Sequence, residues 1–162
     1  MPVIVRQLAS ALLQVLRKLE SNEAKNAREW ARVYNDYAQP ALAGPAIPTW
    51  TGAEISKMSP MIEMAMKVPS PSPSNFALAL ANGVEAFWLL PPIIFTPPGG
   101  TGAVTAFPGK PILIAGLTTV FSVPQPEEAA AESIAMQLDI ATKTVLVTYT
   151  IPPAPPVISP IL

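Results

Sequence analysis

The chain contains neither cysteine nor histidine. Those two absences remove disulfides, thiolate nucleophiles, imidazole bases and the usual zinc ligands. Charge is also scarce. Only 13% of residues are Asp, Glu, Lys or Arg, against about 25% in an ordinary globular domain. The net charge of −1 creates no broad field for nucleic acid or anionic lipid. Long apolar runs are missing too. Phe87–Phe95 and Ile112–Phe121 are too short to span a bilayer, and Pro91-Pro92 breaks the first. Met1–Leu19 carries Arg17 and Lys18 near its end, whereas a secretion signal puts its charge first. The expectation is a protein made in a cytoplasm, with no signal peptide and no transmembrane segment.

What the chain has is apolar surface and proline. Half of its 162 residues are hydrophobic, enough for one average domain or two very small ones. With so few charges, part of that surface is expected to lie against other subunits. Of the 21 prolines, thirteen come in bursts: Pro69, Pro71 and Pro73; Pro91 and Pro92; Pro97 and Pro98; Pro124 and Pro126; Pro152, Pro153, Pro155 and Pro156. Proline removes a backbone donor and biases its predecessor away from helix, so each burst marks the end or start of an element.

Six helices follow from the apolar period. Val5, Leu8, Ala9, Leu12, Leu16 and Leu19 line the first. Ser21-Asn22 offers a cap for the second, with Ala27, Ala31, Tyr34 and Ala38 inward and Pro40 as its stop. A short third helix follows Ser59-Pro60 with Met61, Met64 and Ala65. Ser74 is placed to cap a fourth, with Ala77, Leu80, Val84 and Phe87 on one face. A fifth begins near Pro111 with Ile114, Leu117 and Phe121, and a sixth near Pro126 with Ala130, Ile134, Leu138 and Ala141. Thr144–Tyr149 alternates threonine with aliphatic residues as a half-buried strand does. Pro92–Thr96 reads as an edge strand and the glycine- and proline-rich Pro97–Gly109 as a loop; Gly44–Trp50 shows no strand.

Met61–Thr96 and Ile112–Tyr149 share one order: short helix, proline-x-proline linker, longer helix, apolar strand. Pro71-Ser72-Pro73 corresponds to Pro124-Gln125-Pro126, and the same spacing sets Phe87 on Ile140 and Ile93 on Leu146. Leu8–Ala41 repeats only the helix pair. The expected fold is α+β, built from repeated helix–helix–strand units with a helical layer and a small sheet. The expected organisation is a helical hairpin over 1–42, a linker over 43–58, and one unit over 59–96. A Gly/Pro loop follows over 97–110, then a second unit over 111–151 and a proline-rich arm over 152–162.

Candidate chemistry is thin. Glu128 and Glu132 share a helix face near Glu127, but acidic residues in a first turn also suit the helix dipole. Gly99-Gly100-Thr101-Gly102 lacks the lysine–hydroxyl pair of a phosphate loop, and Gly109-Lys110 runs into Pro111. Arg28 and Arg32, with Trp30 and Tyr34 nearby, read better as an ion-paired helix face than as a nucleic-acid stripe. Met58, Met61, Met64 and Met66 suit adaptable core filling, or a groove for a partner peptide. Trp30, Trp50 and Trp88 are packing anchors, or interface hot spots where exposed. No catalytic residue, metal ligand or cofactor site is assigned. The candidate interface residues are Trp50, Met61, Met64, Trp88, Val157, Ile158, Ile161 and Leu162, the last four on an arm expected to reach another chain.

Ala77-Leu78-Ala79-Leu80-Ala81-Asn82-Gly83-Val84-Glu85-Ala86-Phe87-Trp88 and Pro108-Gly109-Lys110-Pro111-Ile112-Leu113-Ile114-Ala115-Gly116-Leu117 have a recognisable texture. Over Ser59–Thr150 the chain resembles the small virion proteins of tailed bacteriophages. There an alanine-rich helix runs into an apolar strand and a Gly/Pro/Thr-rich segment. The resemblance implies a non-catalytic structural subunit of a tail, baseplate or neck, located in the virion. Its partners would be copies of itself or other virion proteins, with no nucleic acid, membrane or small-molecule substrate. The charged first hairpin and the proline-rich last residues depart from that texture and leave the position in a particle open. A capsid cement or decoration protein is one alternative. Another is an adaptor that docks a peptide on its Met-rich helix or proline-rich tail.

Overall fold

The computed structural model describes residues 3–18 and 21–162. It contains six helices and five strands: α1 (Val3–Arg17), α2 (Glu23–Ala38), β1 (Ile47–Thr49), α3 (Glu54–Met66), α4 (Pro73–Leu89), β2 (Ile94–Thr96), β3 (Thr101–Ala106), α5 (Lys110–Ser122), α6 (Glu127–Thr142), β4 (Leu146–Thr150) and β5 (Val157–Pro160). The fold is α+β, a helical layer with one small antiparallel sheet.

Helix ends follow local chemistry. Asn22 caps α2, its Oδ1 accepting from Lys25 N at 2.9 Å. Ser72, two residues before the expected Ser74, caps α4 by accepting from Asn75 N, and Pro73 occupies the first turn. The third helix starts well before Ser59-Pro60. Glu54 reaches back to Thr51, its Oε1 accepting from Thr51 N at 3.0 Å and from Thr51 Oγ1 at 2.7 Å. The contact fixes the turn just ahead of the helix, whose N-cap is Ala53. Pro60 therefore lies inside α3; the carbonyl it leaves unpaired belongs to Ser56, an exposed residue.

Each helix packs on the one before and the one after it, and α6 returns to α1, so the six close into a ring. The inward faces are largely those set by the periodicity. Val5, Leu8, Ala9 and Leu12 of α1 are buried, as are Ala27, Ala31, Tyr34 and Ala38 of α2. So are Ala77, Leu80, Val84 and Phe87 of α4, and Ile134, Leu138 and Ala141 of α6. Leu19 lies outside the described residues. In α5 the buried pair is Leu113 and Leu117, with Ile114 and Phe121 packed partly against the core.

The strands pair in chain order, β1-β2-β3-β4-β5, all antiparallel. Three expectations need correction here. β2 is not an edge strand: it lies between β1 and β3, and the edges are β1 and β5, which carry Pro48 and Pro160. Prolines do mark the edges, where a missing donor costs no ladder bond. Second, the linker over 43–58 contains β1 and the start of α3, and the loop over 97–110 contains β3. Glycine hid β3 because it sits where no side chain fits: a Cβ on Gly102 would run into Tyr149 of β4. Third, the arm over 152–162 does not leave the domain. β5 pairs with β4 through Leu146↔Pro160, Val147↔Ser159, Thr148↔Ile158 and Tyr149↔Val157. Beyond it, Ile161 N donates to Val145 O at 3.1 Å and Leu162 N to Leu42 O at 2.9 Å.

The repeat is present with a changed register and one more part. Ala77, Leu80, Ala81 and Val84 of α4 are buried, as are Ala131, Ile134, Ala135 and Leu138 of α6, and Ala27, Trp30, Ala31 and Tyr34 of α2. The spacing set by the two proline linkers fails, since Phe87 is fully buried and Ile140 is 45% exposed. Each of the two later units ends in a hairpin, β2–β3 and β4–β5, and β2 and β4 run in the same direction. β1 runs with β3 and β5 and so takes the place of a second hairpin strand. Before it, Ala43 and Ala46 bridge each other. The unit is helix–helix–hairpin, three times over, with the first hairpin reduced.

Candidate functional site

Several of the groups that sequence chemistry singled out are engaged structurally. Arg17 of α1 pairs with Glu127 and Glu128 at the start of α6. Among the described residues, no group of three or more acidic side chains is placed to hold a metal ion. Arg32 is held by Glu29 at 2.9 Å and by Asp36 at 3.0 Å, while Trp30 and Tyr34 point into the core. Gly99 takes a positive φ of 74° in the turn from β2 to β3, and Gly100 lies against Thr150 O. The phosphate-loop candidate is thus a hairpin turn packed on β4. Met58 is fully buried, Met61 and Met66 are half-buried, and Met64 is 60% exposed, so these four do not line one groove.

A polar network crosses the core where the second helices of the three units meet. Trp88 Nε1 of α4 donates to Tyr34 OH of α2 at 2.8 Å, and Tyr34 OH lies 2.7 Å from Thr142 Oγ1 of α6. Burial pushes the Tyr34 phenol well above its ordinary range, against the lowering effect of those two hydrogen bonds. Tyr37 OH donates to Asp139 at 2.9 Å; burial, then the neighbouring Tyr34 and Asp139, push that phenol up as well. Both phenols stay protonated at neutral pH; Tyr37 donates to Asp139, and Tyr34 joins Trp88 to Thr142 within the helical ring. Phe87 meets Tyr34 edge-on at 5.0 Å and Trp88 at 5.1 Å.

Of the candidate interface residues, Trp88 is fully buried in this cluster and Ile161 is 2% exposed in the core, so neither is available to a partner. Trp50 is half-buried beside Phe87 and Trp88, and Met61 is half-buried. Met64, Val157, Ile158 and Leu162 are exposed, Ile158 at 65% and Leu162 at 78%. Met64 lies on α3, whereas the last three lie on or beside β5.

The sheet brings together a surface that no single stretch announces. Its inner row is Pro48, Phe95, Gly102, Tyr149 and Val157, matched across the strands. Its outer row is Thr49, Ile94, Ala103, Thr148 and Ile158, flanked by Ile47, Thr96, Thr101, Thr105, Leu146, Thr150 and Pro160. Ile47 is 62% exposed and Ile94 49%. No residue of that face is ionisable. The sequence held this signal in plain form: no charged residue stands between Asp36 and Glu54, between Glu85 and Lys110, or after Lys143. Those three stretches contain all five strands. Segment 41–46 ties the edges together, since Leu42 O accepts from Leu162 N and Gly44 lies against Tyr149 OH and Ser159 Oγ.

No helix among the described residues is long and apolar enough to cross a membrane. No protein family, curated protein or solved structure matches the chain.

Proposed function

We propose that this chain is a non-catalytic structural subunit that acts by packing against other proteins, in the tail, baseplate or neck of a tailed-phage virion. The observation that carries the packing reading is the outer sheet face, which presents three largely exposed isoleucines and no charge. A face of that kind gains free energy when covered, at roughly 25 cal/mol per Å² of apolar surface removed from water. The virion setting rests on the sequence texture of Ser59–Thr150. The adaptor alternative has less to support it, because Met58 is core and the end of the tail, Val157–Pro160, is a paired strand, while Met64 and Pro152–Pro156 stay exposed.

The setting is tested on particles purified from the source that encodes the chain. Quantitative mass spectrometry is expected to find several copies per particle, in the tail fraction after heads and tails are separated. Recovery with the heads selects the cement or decoration alternative. Absence from particles, with the protein abundant in the lysate, overturns the virion reading.

A further inference from the structure

We propose that the outer face of the sheet docks on the same face of a second copy of this chain, across a twofold axis. The inference deepens the packing reading and rests on it for its biological setting.

Three properties of the face point to a copy of itself. The first is charge. A twofold contact sets each residue near the axis against its own copy, so any ionised group there meets a like charge. Each of the six helices carries at least one charged side chain, and the sheet carries none. The second is hydroxyl chemistry. Six threonines stand on the outer face: Thr49, Thr96, Thr101, Thr105, Thr148 and Thr150. A threonine hydroxyl is donor and acceptor at once, so it can pair with its own copy where a lysine or aspartate cannot. The sheet already uses that ability, with Thr105 Oγ1 3.0 Å from Thr148 Oγ1. The third is shape of side chain. The isoleucines of the face (Ile47, Ile94 and Ile158) are β-branched and stiff at χ1, so covering them loses little rotamer freedom.

Other occupants fit less well. A nucleic acid needs cations, and none lies on the five strands. A bilayer surface is met by lysine, arginine, tryptophan or tyrosine, and the one strand aromatic besides Phe95, Tyr149, points inward. The face is small. Five strands spaced by about 4.8 Å span about 19 Å, and strands of three to six residues are about 10–20 Å long, so the face covers about 200–400 Å², below the roughly 800 Å² per partner of a standard interface. The contact alone is therefore expected in the micromolar range, about 1–100 µM.

Sedimentation velocity over a concentration series tests this on the full chain. The parent protein is expected to pass from monomer to dimer through that range. The double variant Ile94→Lys/Ile158→Lys should remain monomeric at every concentration, with an unchanged helical circular dichroism spectrum. Leu78→Lys, on α4 and 44% exposed, should dimerise as the parent does. A parent that is monomeric throughout overturns the inference. So does an assembly of any size that survives the double variant, or that Leu78→Lys abolishes. If the double variant does not fold, Thr148→Asn, which keeps the face neutral, and Thr148→Asp, which charges it, decide the same point. Dimerisation must persist in the first and weaken at least tenfold in the second. A monomeric parent leaves the particle measurement untouched, and absence from particles leaves this dimer untouched, so the two failures are distinguishable.

Discussion

Glu54 is 1% exposed, yet its carboxylate is held below the ordinary value of 4.5. Burial pushes the group up; the hydrogen bonds from Thr51 Oγ1 and Thr51 N, with help from Lys57, more than offset it. Glu54→Ala removes the acceptor of both Thr51 donors and is expected to cost about 1–2 kcal/mol in urea unfolding. The charge itself is read with Glu54→Gln. The folded pKa lies below the unfolded one, so the ionised form stabilises the fold fully above about pH 4.5. That contribution fades as pH falls through the depressed value. The stability difference between parent and Glu54→Gln should shrink in that direction, and a difference that grows toward acid contradicts the assignment. At the centre of the ring, Tyr34→Phe strands Trp88 Nε1 and Thr142 Oγ1 without their shared partner. The expected cost is about 1–3 kcal/mol by chemical denaturation, at little change in packing volume.

Among the elements, the helices and the strands β2 and β4 were legible, and β1, β3 and β5 were not. Helices announce themselves by a long period that survives a few exceptions, which is why the apolar faces of α1, α2, α4 and α6 are readable from single residues. Strands of three or four residues have too few positions to show alternation. β1 is Ile47-Pro48-Thr49, with a proline at its only buried position. β3 has glycine opposite Tyr149, a choice made by the neighbouring strand and invisible in local sequence. β5 follows four prolines and looks like a tail until its pairing with β4 is known. The start of α3 at Glu54 is set by the Thr51–Glu54 contact, which Ser59-Pro60 does not reveal. β4 gives the sharpest test of a strand's two sides. Val147 is fully buried and Thr148 lies on the outer row. Val147→Asp should cost at least about 3 kcal/mol or prevent folding. Thr148→Asp should fold with a loss under about 1 kcal/mol. Equal losses at the two positions contradict the assigned faces.

At the scale of the whole molecule, the arrangement follows from where charge is allowed. Every charged side chain within the helices and strands lies on a helix, and the helical ring buries its aliphatic stripes inward and shows its ion pairs outward. The strands carry no charge, the segments that lead into them carry only that of Lys143, and they collect at the sheet. Composition alone pointed to apolar surface awaiting a partner, but not to where it lies. That placement needed the three neutral stretches to meet as paired strands. The absence of native cysteine allows the central claim to be measured directly. Single cysteines at Thr96, Ala103, Thr148 and Ile158 sample the outer face, and one at Met136 samples the exposed side of α6. After mild oxidation or a short thiol–thiol cross-linker, non-reducing electrophoresis should show a covalent dimer for at least one sheet position and none for Met136→Cys. A dimer trapped only through Met136→Cys, or through no sheet position while the parent sediments as a dimer, contradicts a sheet-to-sheet contact between copies.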